Sequence, residues 1–220
     1  MAGLAVFDLD RTIVRFGTYT PFLLRYAVRH APWRLLFAPV VLVLMVGYKL
    51  GLLDRGGLKE RMFRLLIGRP TMALMDEVSK DFADHVVTRH CFKEAVEAVA
   101  RHRQAGDTLI LATASFAFYA RHIADRLGFD HTVGTLLEES DGRLHPRIRG
   151  GNCYGPEKKS MVLDFLSRTV GEGASFIFYT DDKSDIPLLD VAAAGILVNP
   201  KKYLAEYGAA RANMQIVRWQ

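Results

Sequence analysis

The chain carries only two cysteines in 220 residues, Cys91 and Cys153, far apart and outside any Cys-x-x-Cys pattern. That excludes a disulfide scaffold and a thiolate metal centre, and it fits a reducing compartment. No basic leader precedes the first acid, Asp8, which argues against a secretory signal. A comfortable membrane span is missing too. The most apolar run, Trp33 to Leu53, holds fourteen uncharged residues between Arg34 and Lys49 and is interrupted by Pro39 and Gly47. At about 1.5 Å per residue these cover roughly 21 Å, against a hydrocarbon core of ~30 Å. A helix packed against its neighbours and a helix lying in a membrane interface both fit this run. The basic residues around it, Arg25, Arg29, Arg34 and Lys49, suit the second. The expected location is cytoplasmic, either free or peripheral on the cytosolic face of a membrane.

Acids are absent from Arg11 through Leu53. Between Ile13 and Asp84 eleven Lys and Arg face six acids, so this segment holds the whole net charge of +5. Such a region attracts anions, either phosphate esters or an anionic membrane surface. Nucleic acid is not an expected partner, because long aliphatic runs separate the cations and no nucleic-acid motif is present. What the chain does have is apolar substance. It is 50% hydrophobic and 24% charged, enough for the core of one domain with a sizeable insertion.

The organising stretch is Leu4-Ala-Val-Phe-Asp8-Leu-Asp10-Arg-Thr12, which reads as a short buried strand ending in two acids. Carboxylates this close repel unless a cation or a shared proton offsets them, which points to a hard divalent metal with oxygen ligands. From Thr20, read as an N-cap with Pro21 at the first helical position, the pattern is helical to Gly68, with a turn at Asp54-Arg-Gly-Gly57. Another helix follows from Met72 to Arg89. Beyond Phe92, helices alternate with apolar strands at Thr108–Ala112, Ser175–Tyr179 and Gly195–Val198, with a hairpin around Ser140-Asp-Gly142 and an edge strand from Met214. This alternation predicts a parallel α/β sheet. Residues 1–15 and 87–220 form the expected core, and residues 16–86 a helical insertion.

Three strands end in complementary polar residues: Asp8 with Asp10, then Thr113, then Asp181 with Asp185. The helix start Gly155-Pro-Glu-Lys158 adds a cation. Phosphoryl transfer needs these parts: a nucleophile, an acid and base, donors for the phosphate oxygens, and a metal. Phe7-Asp8-Leu-Asp10-Arg-Thr12, Leu111-Ala-Thr113-Ala-Ser115, Cys153-Tyr-Gly155-Pro-Glu-Lys158 and Tyr179-Thr-Asp181-Asp-Lys-Ser-Asp185 resemble, in this order, the four motifs of the haloacid dehalogenase superfamily. Within it the chain is most similar to subfamily IB, that of phosphoserine phosphatase.

The resemblance implies a Rossmann-like three-layer core with a parallel sheet and an inserted helical cap. It implies Mg2+-dependent hydrolysis of a phosphate monoester through an aspartyl-phosphate. Asp8 would be the nucleophile, Asp10 the acid and base, and Thr113 and Lys158 the phosphate-binding pair, with Lys158 preferred over Lys159. Mg2+ would lie on the Asp8 carboxylate, the Asp10 main-chain carbonyl and Asp181. Asp185, Asp182, Thr12 and Ala114 would support that set, and Arg11 and Arg15 would meet the substrate.

Two departures bear on substrate. Arg11 stands where the family most often has glycine. Gly17 stands where phosphoserine phosphatases carry a glutamate for the substrate ammonium, so phosphoserine is disfavoured. The basic, apolar cap resembles that of the C-type phosphatidylglycerophosphatases and implies a lipid phosphate. A soluble ester, phosphoserine- or histidinol-phosphate-like, stays open, as does transfer to an acceptor other than water. From another class, a catalytically idle membrane- or partner-binding module is possible on the same fold. The presence of Asp8, Asp10, Thr113, Lys158 and Asp181 together argues against idleness.

Overall fold

The computed structural model describes residues 3–220. Among these, the helices are α1 (Tyr19–His30), α2 (Ala38–Lys49), α3 (Arg55–Leu66), α4 (Met72–His90), α5 (Lys93–Gln104), α6 (Ala117–Leu127), α7 (Pro156–Thr169), α8 (Ile186–Leu189) and α9 (Lys202–Ala209). The strands are β1 (Leu4–Phe7), β2 (Thr108–Phe116), β3 (His131–Ser140), β4 (Arg143–Arg149), β5 (Ile177–Thr180), β6 (Ala194–Val198) and β7 (Met214–Val217). They form one sheet in the order 4-3-2-1-5-6-7, parallel except for the β3–β4 hairpin.

Alternation along the strands builds the layers. Leu4, Val6, Ile110 and Phe178 face α7, α8 and α9, where they meet Val162, Leu166, Leu188 and Leu204. Ala5, Phe7, Leu109 and Leu111 face the other way, into a core shared with Ala95, Ala98 and Val99 of α5 and Ile123 of α6. The result is the expected three-layer α/β core. β1 sits at its centre, with Phe7 level with Leu111 on β2 and Tyr179 on β5. Three strands therefore deliver their carboxyl ends to one edge of the sheet, where ligands of open α/β folds bind.

The helices before residue 91 share the second core. Phe22 on α1 stacks on Tyr119 of α6 at 4.6 Å between ring centroids and meets Phe82 of α4 edge-on. α4 runs unbroken through residue 86, where the insertion was expected to end. It is tied to α6 by Asp76 to His122 and Arg121, and by Asp84 to Arg126.

Three local expectations are corrected. α1 begins at Tyr19 rather than after Thr20, because Asp10 holds the Thr18 N–H and sets the chain's entry into the helix. Arg55-Gly-Gly is the first turn of α3 rather than a loop: the Asp54 side chain accepts from the Gly56 and Gly57 N–H groups as an N-cap. The apolar run from Trp33 is divided between a 3-10 helix, Pro32–Phe37, and α2, in which Val41 alone is buried.

Candidate active site

Asp8 extends β1 by one residue. Its N–H donates to the Tyr179 carbonyl at 2.9 Å, so its carboxylate emerges where the sheet ends. Gly155, at φ 60°, turns the chain into Pro156 and starts α7, which places Lys158 in the first turn. Lys158 Nζ donates to Asp8 Oδ1 at 2.9 Å and to Asp185 Oδ2 at 2.8 Å. Thr12 Oγ1 donates to the other Asp8 oxygen at 3.3 Å. Thr180 Oγ1, at the end of β5, donates to Asp185 Oδ2 at 2.7 Å. Asp182 accepts from the Ser184 N–H at 2.8 Å and caps the short turn that carries Asp185.

Asp10 is held differently. Its Oδ1 accepts from the Thr18 N–H and Oγ1, both at 2.7 Å, and its Oδ2 accepts from Ser115 Oγ at 2.9 Å. Tyr119 Oη lies 3.1 Å from Thr18 Oγ1, placed to donate to it. Two of the three donors to Asp10 are hydroxyls, which can reverse direction when the carboxyl takes a proton.

The crevice between these groups has a volume of about 120 Å3. Five carboxylates line it (Asp8, Asp10, Asp181, Asp182 and Asp185) against three cations (Arg11, Arg55 and Lys158). Burial lifts the Asp8 carboxyl to about 7 even though Lys158 pulls it down, with Asp185 and Asp10 adding to the rise. Burial, then Asp8 and Asp182, lift Asp181 to about 8. Burial opposes the charge on Lys158, but Asp185 and Asp8 outweigh it and hold the ammonium protonated above the usual lysine range. Asp185 Oδ1 is buried with no hydrogen-bond partner.

An excess of two negative charges, carboxyls lifted by burial and then by their neighbours' charge, and an orphaned oxygen are what a divalent cation would relieve. Among the described residues no three His, Cys, Asp or Glu side chains close into a metal cage. Mg2+ does not need one, since it keeps several waters and binds through one or two carboxylates. Asp8 and Asp181, which line the crevice together and of which the first raises the second by its charge, are the pair that could hold it.

Of the residues singled out by sequence, Asp8, Asp10, Arg11, Ala114, Lys158, Asp181, Asp182 and Asp185 line this crevice. Arg11 does so from a left-handed backbone, φ 63°, a conformation that favours glycine. Thr12 and Thr113 are fully buried beside it. Thr113 Oγ1 accepts from the Ser115 N–H at 3.0 Å, and Ala114 fronts the crevice next to it. Lys158 is buried where Lys159 is not. Arg15 is a correction: it lies over the Phe92 ring and donates to the Gln220 carbonyl at 2.7 Å, so its charge is spent on the carboxyl-terminal strap away from the crevice.

Sequence reasoning missed Thr18, Arg55, Lys59, Ser115 and Tyr154. Arg55 and Tyr154 line the crevice, with the guanidinium 4.1 Å above the ring. Lys59 belongs to an adjoining cavity of about 380 Å3, which shares Asp10, Arg11, Gly17, Arg55 and Ala114 with the crevice and adds an apolar wall of Tyr19, Met45, Tyr48, Leu58 and Met62. Lys59 Nζ donates to the Ala114 carbonyl at 2.6 Å and to Asn152 Oδ1 at 3.0 Å. Burial, then Arg55, lowers its pKa to about 7. A signal for it existed, because Lys59 falls on the same stripe of α3 as Met62, Phe63 and Leu66. A lysine in an apolar stripe is a buried cation in search of a role.

Comparison with known proteins identifies the family. Residues 5–190 match the haloacid dehalogenase-like hydrolases, and the chain belongs to that family. It is an enzyme, a phosphatase. A probable phosphatase of Mycobacterium tuberculosis is 25% identical over 213 residues, covering 94% of this chain and 72% of the relative. A histidinol-phosphatase of Neisseria meningitidis serogroup C is 25% identical over 222 residues, covering 91% of each chain. Among solved structures, a protein of unknown function from Bordetella pertussis Tohama I superposes with a TM-score of 0.86 at 29% identity, over 99% of this chain and 98% of that one. A phospho-aspartyl intermediate analogue of phosphoserine phosphatase shares the fold, with a TM-score of 0.63 at 19% identity, over 98% of this chain and 92% of that one.

Proposed function

We propose that this chain is a Mg2+-dependent phosphomonoester hydrolase acting through an aspartyl-phosphate on Asp8. The observation that carries the reading is the pair of unlike carboxylates at one strand end: Asp8 bound to Lys158, and Asp10 bound to hydroxyls. An Asp8 oxygen attacks phosphorus and the ester P–O bond breaks. Asp10 gives its proton to the departing oxygen, then takes one from the water that splits the acyl phosphate and frees Asp8. Lys158 and the Thr113 hydroxyl steady the phosphoryl oxygens. Mg2+, held by Asp8, Asp181 and the Asp10 carbonyl, would supply the charge that lets an anionic ester approach these acids. Asp185 and Asp182 keep Lys158 and the acid-bearing turn in place, and residues 16–86 serve as the cap over the crevice.

For the substrate we favour a lipid phosphate such as phosphatidylglycerophosphate. The adjoining cavity has an apolar wall for the body of such a molecule. Its cations, Lys59 and Arg55, suit a further negative charge beyond the scissile ester. The second reading is a soluble small metabolite, and the relatives named phosphoserine phosphatase and histidinol-phosphatase favour it. Both of those esters carry an ammonium, however, and this cavity has Gly17 where an acid would be needed and four cations, Arg11, Lys49, Arg55 and Lys59, in its lining.

Hydrolysis of an aryl phosphate tests the chemistry. We expect activity with Mg2+, loss with EDTA, and a loss of about a thousandfold or more in Asp8→Asn. Activity that survives the chelator or the substitution contradicts the mechanism. Turnover of phosphatidylglycerophosphate in detergent, set against phosphoserine and histidinol phosphate, then decides between the two substrate readings.

A further inference from the structure

The outer surface from Trp33 to Leu52 is left unused by the chemistry above. Leu36 is 80% exposed, Val43 70% and Leu42 64%, and Trp33, Val46 and Leu52 join them in solvent. Across Pro32–Lys49 the mean hydropathy is 1.4, yet only 6% of the segment is buried. A contiguous exposed face of this kind marks an interaction surface.

We propose that this face docks on an anionic phospholipid bilayer and lies in its interface. By length and composition Pro32–Lys49 is enough to cross a membrane, but it is divided between a six-residue 3-10 helix and α2, whose twelve residues reach about 18 Å against a core of ~30 Å. The segment is also moored from behind. Arg34 donates to the Arg64 and Leu65 carbonyls, both at 3.0 Å, so the run is fastened along α3.

Charge selects the occupant. The face sits within a stretch from Arg11 to Leu53 that has no acid; Arg29 is exposed but paired with Asp81, and Lys49 is exposed with no acid in ion-pair contact among the described residues. Anionic headgroups complement such a face. A second copy meeting it through a two-fold axis would bring these cations together with no counter-charge from the same stretch. The inner side of the same helix agrees, because Met45 and Tyr48 of α2 wall the apolar cavity beside the crevice. A phosphate ester with an acyl body would pass from the bilayer into that cavity along one helix. The inference deepens the lipid reading and rests on it for the substrate alone, since docking is measured without turnover.

The experiment floats the full chain on a density gradient with vesicles of equal parts phosphatidylglycerol and phosphatidylcholine, and with phosphatidylcholine alone. We expect flotation with the anionic vesicles, little with the neutral ones, and a fall as salt rises. In a Trp219→Phe background, the Trp33 emission shifts to the blue on anionic vesicles. Leu36→Asp/Val43→Asp, at two exposed positions, loses about tenfold or more of the binding, with hydrolysis of an aryl phosphate unchanged. The proposal is overturned if the wild type stays at the bottom, if the double variant floats equally well, or if sedimentation shows a dimer that the double variant dissolves. Failure of flotation with aryl phosphatase activity intact sinks the docking and spares the catalytic reading. Failure of the aryl assay does the reverse.

Discussion

Two lysines are buried at the rim of this site, and they are opposites. Lys158, in the core, lies between Asp8 and Asp185, and its ammonium is held charged. Lys59, on α3, hydrogen-bonds to neutral oxygens alone, lies 4.3 Å above the Phe116 ring near Arg55, and is pushed down to about 7. The first is matched to its surroundings before any substrate arrives. The second is not, and an anion entering the cavity would complete it. On the proposed function, the contrast separates the part of the site that would hold the reacting phosphoryl group from the part that would choose what it is attached to.

The largest way to break this contrast is Lys158→Met. It leaves Asp8 and Asp185 buried without their shared partner, so we expect aryl phosphatase activity to fall by about a hundredfold or more and stability in denaturant unfolding to drop by about 3 kcal/mol. Retained activity would show that Lys158 is no part of the machinery.

Lys59→Met sharpens the contrast through pH. The unfolded lysine keeps its proton to about 10.5 while the folded one releases it near 7. Between those values the unfolded chain binds more protons, so wild-type stability gains as pH rises. The penalty that burial imposes is full below about 7 and fades above it. Compared with Lys59→Met, the wild type should gain about 2 kcal/mol between pH 7 and pH 9. A parallel pair of stability curves would contradict the lowered pKa.

The smallest effect concerns the missing acid. A side chain added at Gly17 meets nothing within 4 Å, and the residue lines both cavities, so Gly17→Glu is tolerated. We expect kcat/KM for phosphoserine, relative to an aryl phosphate, to rise about tenfold. No change would mean that selectivity is set elsewhere in the cap.

Much of the sheet's carboxyl edge was legible because its signals are local. Four buried apolar residues end in Asp8 and β5 ends just before Asp181, whereas β2 runs past the expected end at Ala112 to Phe116 and carries Thr113 within it; parallel pairing brings these segments together. The misreadings arose where a particular side-chain hydrogen bond, near or far, decides. Asp54 overrides the turn preference of two glycines by capping both of their N–H groups. Thr18 is claimed by Asp10, and Arg15 by a carbonyl 205 positions away. Lys59 was one of eleven cations in its segment, and its partners Ala114 and Asn152 lie on the core side of the site. The exposed side of α2 was also undecided by sequence, since an apolar run says how much surface wants cover and not which side receives it.

The central claim is a covalent one, and rapid acid quench tests it most directly. The full chain is mixed with an aryl phosphate and Mg2+, stopped within a turnover, and digested for mass spectrometry. The account predicts one phosphoryl group on the peptide carrying Asp8, absent in Asp8→Asn. Steady turnover with that peptide unmodified, or the group on another residue, would contradict it.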